Sequence, residues 1–205
     1  MRRHLIILLL FVSCKNSSDV PKSNWKFDKK EEKADTITIK KQLDSINFIT
    51  KSGDILFRGG TDAESNIIRD FSYNDKIFSH CGIVLPTDSG LRVAHMLGGT
   101  TNPAGGLLYS SIEKFLSYPE NESAGIYGCA LSKKELRKIH QYTDSIKNNN
   151  IGFDLKFDLA TKQNLYCTEM LVDAIKFAKG NNTILTATSF YLKNTKYFFL
   201  ANKGR

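Results

Sequence analysis

Ser79-His80-Cys81-Gly82-Ile83-Val84-Leu85-Pro86-Thr87-Asp88-Ser89-Gly90-Leu91-Arg92-Val93-Ala94-His95 is the stretch on which the reading of this fold turns. Two apolar runs, His80 to Leu85 and Leu91 to Leu97, flank the turn formers Pro86 to Gly90, which predicts a hairpin. A four-residue turn between Leu85 and Gly90 sets His80 directly opposite His95, Gly82 opposite Val93 and Val84 opposite Leu91. All of these share one face, because side chains alternate along a strand. Two imidazoles abreast on a mostly apolar hairpin fit a pair of satisfied core histidines. They also fit a base and its orienting partner in covalent catalysis. Zinc is a third option, with His80, Cys81 and His95 as ligands. However, Cys81 points to the face opposite His80 and the chain has no CxxC pair, so no metal is expected.

A base needs a nucleophile, and four cysteines are available. Cys81 is on the wrong face of its strand. Cys129, in Tyr127-Gly128-Cys129-Ala130, reads as a small core residue of a strand over Gly125–Leu131. Cys167 differs. Tyr166 to Lys179 carries Cys167, Met170, Leu171, Ala174, Ile175 and Ala178 at helical spacing, and Gly180 ends the run. Asn164 as N-cap puts Cys167 in the first helical turn. There the helix dipole and the amides without carbonyl partners favour a thiolate. The same amides suit an oxyanion, with Tyr166 and Thr168 as the flanking candidates. The bland alternative is a buried cysteine on an amphipathic helix. Glu169 reads as a helix-start charge or a buried hydrogen-bond partner.

The surrounding elements mix strands and helices without strict alternation, which argues for an α+β class. Gly53 to Arg58 reads as a buried strand. Ile67, Ile68 and Phe71 lie at helical spacing, and Ser111 to Leu116 reads as a short helix. Ser132 to Glu135 is a capping box opening a helix that continues through Leu136, Ile139, Thr143 and Ile146. Thr36 to Ile49 mixes strand and helix character, and Lys196 to Ala201 is the last expected strand. The loop Thr100 to Gly106, rich in glycine, suits either a plain connection or a wall of a cleft.

The chain has 205 residues, 41% apolar and 24% charged, which fits one ordinary globular domain and excludes wholesale disorder and a multi-span membrane protein. Four cysteines do not make a disulfide scaffold at this length. The net charge is +8, of which Arg2 and Arg3 account for two and residues 15–35, with six Lys against five Asp or Glu, for one. The rest is too mild for a nucleic-acid partner, and no basic run is interleaved with stacking aromatics.

The N-terminus reads as an address. Arg2-Arg3 precede eight apolar residues, Leu5 to Val12. That length suits a secretory leader and falls short of the ~20 residues of a bilayer span. Phe11-Val12-Ser13-Cys14 resembles the bacterial lipobox, with Phe11 where Leu is usual. Residues 1–13 are therefore expected to be a lipoprotein signal peptide, 14–35 a lipidated cysteine followed by a flexible tether, and 36–205 the domain. Lipid on Cys14 would hold the protein on a bacterial membrane surface, the outer membrane foremost, without spanning it.

Five motifs in order complete the reading: Gly53-Asp54-Ile55-Leu56-Phe57; Ser79 to Leu85; Val93-Ala94-His95; Phe153-Asp154-Leu155-Lys156-Phe157; and Leu165-Tyr166-Cys167-Thr168-Glu169-Met170-Leu171. Over roughly residues 50 to 180 they resemble the YiiX-type branch of the NlpC superfamily, permuted papain-like cysteine hydrolases with lecithin retinol acyltransferase as a more distant relative. The resemblance implies a permuted papain-like fold, an antiparallel sheet packed on helices that include the nucleophile helix. It implies Cys167 as nucleophile, His80 as base and His95 as the third polar residue, where many members have Glu, with Asp54 and Asp154 structural. It implies a thiol hydrolase without cofactor, acting on an amide such as those of cell-wall peptides. The alternatives are a lipid or N-acyl hydrolase or acyltransferase using the same thiol, and a catalytically silent binding lipoprotein.

Overall fold

A computed structural model describes residues 44–70, 76–99, 102–158 and 163–180, together with the backbone of 25–26. The leader, Cys14, most of the stretch read as a tether and the strand expected over Lys196–Ala201 lie outside the described residues. No helix among those described is long and apolar enough to cross a membrane. The chain is α+β, and it divides into two compact units. Among the described residues the divisions fall after Ala94, after Leu108 and after Ser132.

The first unit is built on a sheet. Its elements are β1 (Trp25–Lys26), β2 (Ile55–Gly60), α1 (Ala63–Asp70), β3 (His80–Thr87), β4 (Gly90–Leu97), β5 (Gly106–Ser110), α2 (Ile112–Leu116) and β6 (Asn121–Tyr127), with β4 and β5 crossing the division. The strand order is β1-β6-β2-β3-β4-β5. The pairs β1–β6, β6–β2, β2–β3 and β3–β4 are antiparallel. Leu56, Val84, Val93 and Ala124 alternate onto one face and meet Ile112, Phe115 and Leu116 of α2, with Ile46 from a helical turn at 44–49. The mixed character of Thr36–Ile49 thus resolves to helix at its end. Ser111 caps α2 by accepting the Lys114 amide, satisfying one of the amides a helix start leaves over. Ile67 and Ile68 lie in helix α1 as expected, with Phe71 outside the described residues, yet none of the α1 residues is fully buried.

Two expectations are corrected. The β3–β4 hairpin is tighter than a four-residue turn: Thr87 pairs with Gly90, Pro86 with Leu91 and Val84 with Val93. Only Asp88 and Ser89 lie in the turn, because Gly90 takes φ +92°, which a side chain would resist, and closes the strands early. Pro86 is exposed and continues the strand. The register moves by two residues, so Leu91 is not the partner of Val84, and His95 is not directly opposite His80. A two-residue move preserves the face, whereas a one-residue slip would have inverted it. The second correction concerns β6, which spans Asn121–Tyr127 instead of Gly125–Leu131. Its polar first half is held in register by β2, with Ser123 opposite Gly59 and Asn121 opposite Gly60, and Glu122 pairs with Arg69 of α1. Cys129 is buried but lies beyond the strand.

The second unit is mainly helical. Here α3 (Lys133–Asn148) buries Ile139, Thr143 and Ile146, and α4 (Cys167–Lys179) buries most of its length. Lys138 Nζ donates to the Ala178 carbonyl at 3.3 Å, Lys179 pairs with Glu135 at 3.3 Å, and the Tyr142 and Phe177 rings lie 5.8 Å apart. The Tyr142 hydroxyl is pushed well above its ordinary range by burial and by the charges of Asp173 and Glu169. Between the helices, β7 (Gly152–Phe153) and β8 (Asn164–Leu165) form a short parallel ribbon.

Candidate functional site

Cys167 is the first residue of α4, and 4% of it is exposed. The N-cap is Tyr166, not Asn164, which instead pairs with Gly152 in the parallel ribbon. Tyr166 is extended (φ −96°, ψ 172°) and its side chain makes no capping bond. The first intrahelical bond runs from the Met170 amide to the Tyr166 carbonyl at 3.0 Å. The amides of Cys167, Thr168 and Glu169 therefore precede the helical ladder, and no cap side chain from Tyr166 competes for them. An anion beside Cys167 would lie at the positive end of a 13-residue helix. Thr168 is half-buried, and Glu169 turns to another side of the helix and is buried.

A tight loop packs against Tyr166, the residue before Cys167. Phe153 of β7 pairs with Leu165 of β8, and the Asp154 amide donates to the Leu165 carbonyl at 3.1 Å. The buried Asp154 carboxylate accepts the Lys156 amide at 2.8 Å and the Asp158 amide at 2.6 Å. This closes residues 154–158 into a turn, in agreement with the structural role expected of Asp154. Within it Phe157 takes φ +51°, a conformation bulky residues avoid. Its ring lies 5.3 Å from that of Tyr166 and 6.3 Å from that of Phe153. Gly98 backs onto Phe153, where an added Cβ would come within 2.5 Å of the ring. Gly105, within the glycine-rich loop, lies against the same residue, while Thr100 and Thr101 at the start of that loop lie outside the described residues.

His80 opens β3 in the sheet unit and is half-buried. Its cross-strand partner is Arg58, and its ring lies 5.6 Å from Phe115. Arg58 is 6% exposed, which is costly for a guanidinium. Its charge rests over the Tyr118 ring at 4.0 Å and the Phe115 ring at 5.2 Å, and Nη1 donates to the Phe115 carbonyl at 3.4 Å. These contacts offset the desolvation. The sequence reading missed this cluster, although an arginine ending an otherwise buried apolar strand was a signal for it. His95 follows Ala94 in β4 and is 2% exposed. By alternation it shares its side of the strand with Val93.

Asp54 is structural as expected. Its carboxylate accepts the Lys51 amide at 2.7 Å, and its backbone exchanges bonds with β3 through Gly53 N to Val84 O and Val84 N to Asp54 O, each 2.8 Å. Burial pushes its carboxyl above the ordinary range, offset in part by the Lys51 amide and charge. Cys81, Cys129 and Cys167 are all buried thiols. Among the described residues no group of three His, Cys, Asp or Glu is placed to hold a metal ion.

The sheet thus gathers His80, Arg58 and Phe115. The start of α4 gathers Tyr166, Cys167 and Thr168 with Phe157. No protein-family model matches the chain, and no curated protein does. Among solved structures, that of the metalloprotein YiiX from Escherichia coli O157:H7 is similar, with a TM-score of 0.50 and 17% identity over 63% of this chain and 67% of that one. This chain has a YiiX-like fold. The likeness is one of fold.

Proposed function

We propose that this chain is an exported, lipid-anchored cysteine hydrolase of the permuted papain-like type, cleaving an amide bond in cell-wall peptides. Cys167 attacks the carbonyl as thiolate, and its proton passes to His80. The tetrahedral oxyanion is held by amides of the first turn of α4, next to Tyr166 and Thr168. Collapse of the intermediate expels the amine, which takes the proton back from His80, and water then releases the acyl group from sulfur. His95 orients the His80 ring. Cys14 carries the lipid and the membrane surface is the partner.

The observation that supports this reading is the position of Cys167 at the head of a long helix in a chain with a YiiX-like fold, after an N-cap whose side chain makes no capping bond. The E. coli protein is described as a metalloprotein. The described residues of this chain include no three-ligand cluster to fit an ion, and no step is routed through one.

The test is mass spectrometry of the purified protein exposed in parallel to muropeptides and phospholipids. A thioester on Cys167 with muropeptides, lost in Cys167→Ala, is the expected result. An adduct with phospholipid alone would move the activity to lipid acyl groups. Turnover that survives Cys167→Ala would refute the assignment, and a thiol of ordinary reactivity indifferent to His80→Ala would leave a silent binding lipoprotein.

A further inference from the structure

The strained loop beside the nucleophile is not explained by the chemistry above. Because β7 and β8 run parallel, the chain leaves both strands at the same end of the ribbon. One exit leads into residues 154–158, and the other, through Tyr166, into Cys167. The two part-buried amide-to-carboxylate bonds at Asp154 fix the first exit. Between the charged Asp154, Lys156 and Asp158 the loop carries two apolar side chains, Leu155 and Phe157. Leu155 is 61% exposed, and Phe157 is half-buried with its ring against Tyr166. Glycine or asparagine would take φ +51° at Phe157 without strain, so an aromatic there holds its ring in place at a backbone cost. Phe153, pinned by Gly98, meets the same ring edge-on at 6.3 Å.

We infer that Phe157, with Leu155, is a specificity determinant that receives a hydrophobic group on the acyl side of the bond attacked by Cys167. The inference rests on the proposed role of Cys167 and adds the chemical class of its substrate. An aliphatic chain and a bulky amino-acid side chain offer the same chemistry to this shelf.

Three p-nitrophenyl esters distinguish these cases: acetyl, octanoyl and N-acetyl-leucyl. In each the Cys167 sulfur bonds to the carbonyl carbon, the carbon–oxygen bond breaks and p-nitrophenolate leaves, the thiol proton passing to the base. The burst of p-nitrophenolate gives the acylation rate, and iodoacetamide alkylation reports the thiol without an apolar group. Phe157→Gly removes the ring and relaxes the backbone, and Leu155→Ser alters only an exposed side chain. The expected result is a loss of roughly tenfold in acylation by octanoyl or N-acetyl-leucyl ester in Phe157→Gly, and a smaller loss in Leu155→Ser. Acetyl ester and iodoacetamide rates should stay within about twofold of wild type. Whichever bulky ester loses more identifies the source of the group. Equal loss with every reagent would make Phe157 a support for the thiol and overturn the inference, as would no loss at all. If wild type forms no ester adduct on Cys167, the hydrolase reading fails and this inference falls with it.

Discussion

Asp54 illustrates how a single buried group couples the fold to solution conditions. Its carboxylate is needed as an acceptor for the Lys51 amide, yet burial makes the charged form costly and raises its pKa above the ordinary 3.8. The folded state therefore holds this proton more tightly than the unfolded state. Stability from this residue is fully present below the unfolded pKa and is lost as pH rises through the folded one. Asparagine keeps a side-chain oxygen for the Lys51 amide and does not ionise. The expected outcome is that Asp54→Asn folds, and that wild-type stability relative to it declines as pH climbs out of the acid range. Urea denaturation of both proteins across a pH series checks this, and wild-type stability that rises relative to Asp54→Asn with pH would contradict it. Arg58 presents the opposite case, a buried charge whose desolvation is offset by two aromatic faces and a carbonyl beside His80.

Elements were legible where the pattern of apolar residues settled a face, and illegible where closure depended on one backbone angle. The period of Met170, Leu171, Ala174, Ile175 and Ala178 gave the span of α4 to within a residue, because a helix buried along most of its length must repeat its apolar positions. Its N-cap was misread because Asn164 has the usual capping side chain, while the ribbon pairing with Gly152 claimed it for a strand. The hairpin's faces followed from alternation, but its register hung on Gly90 at φ +92°, which composition alone does not reveal. The strained Phe157 carried no sequence signal, since phenylalanine is a residue from which positive φ is not expected. The β2–β6 pairing has a similar hidden dependence. At Gly59 an added Cβ would fall 2.0 Å from the Ile77 carbonyl oxygen and 2.4 Å from Ser123 Oγ. A backbone atom cannot rotate away, so Gly59→Ala must part β2 from its neighbours beside the register shift at Gly60. The expected cost is ~1–3 kcal/mol, typical of overpacking, read from the urea midpoint. Gly90→Ala meets nothing within 4 Å and pays only for its φ, so a smaller loss there would separate crowding from strain.

For the whole chain, two physical forces are candidates for holding the protein at a membrane, and they respond oppositely to salt. One is the lipid proposed on Cys14, worth ~0.8 kcal/mol for each buried methylene. The other is the excess of Lys and Arg over Asp and Glu, 29 against 21, drawn to an anionic surface. At 1 M salt the screening length falls to about 3 Å, and attraction between exposed charges and headgroups largely disappears. Burial of acyl chains is not weakened by that salt. Cys14→Ser keeps the apolar leader run and every charge, and removes only the sulfur to which lipid would attach. The full chain expressed in a bacterial host is therefore expected in the membrane fraction, to stay there through a 1 M salt wash, and to enter the detergent phase on partitioning. Cys14→Ser should move to the soluble fraction without losing Cys167 reactivity, because the anchor and the thiol do separate work. Release of wild type by salt alone would assign retention to the basic surface. Membrane retention of Cys14→Ser through the wash would show only that its uncut leader can anchor the variant, whereas wild type that stays out of the detergent phase would sink the lipoprotein reading while the hydrolase chemistry proposed at α4 still stood to be measured.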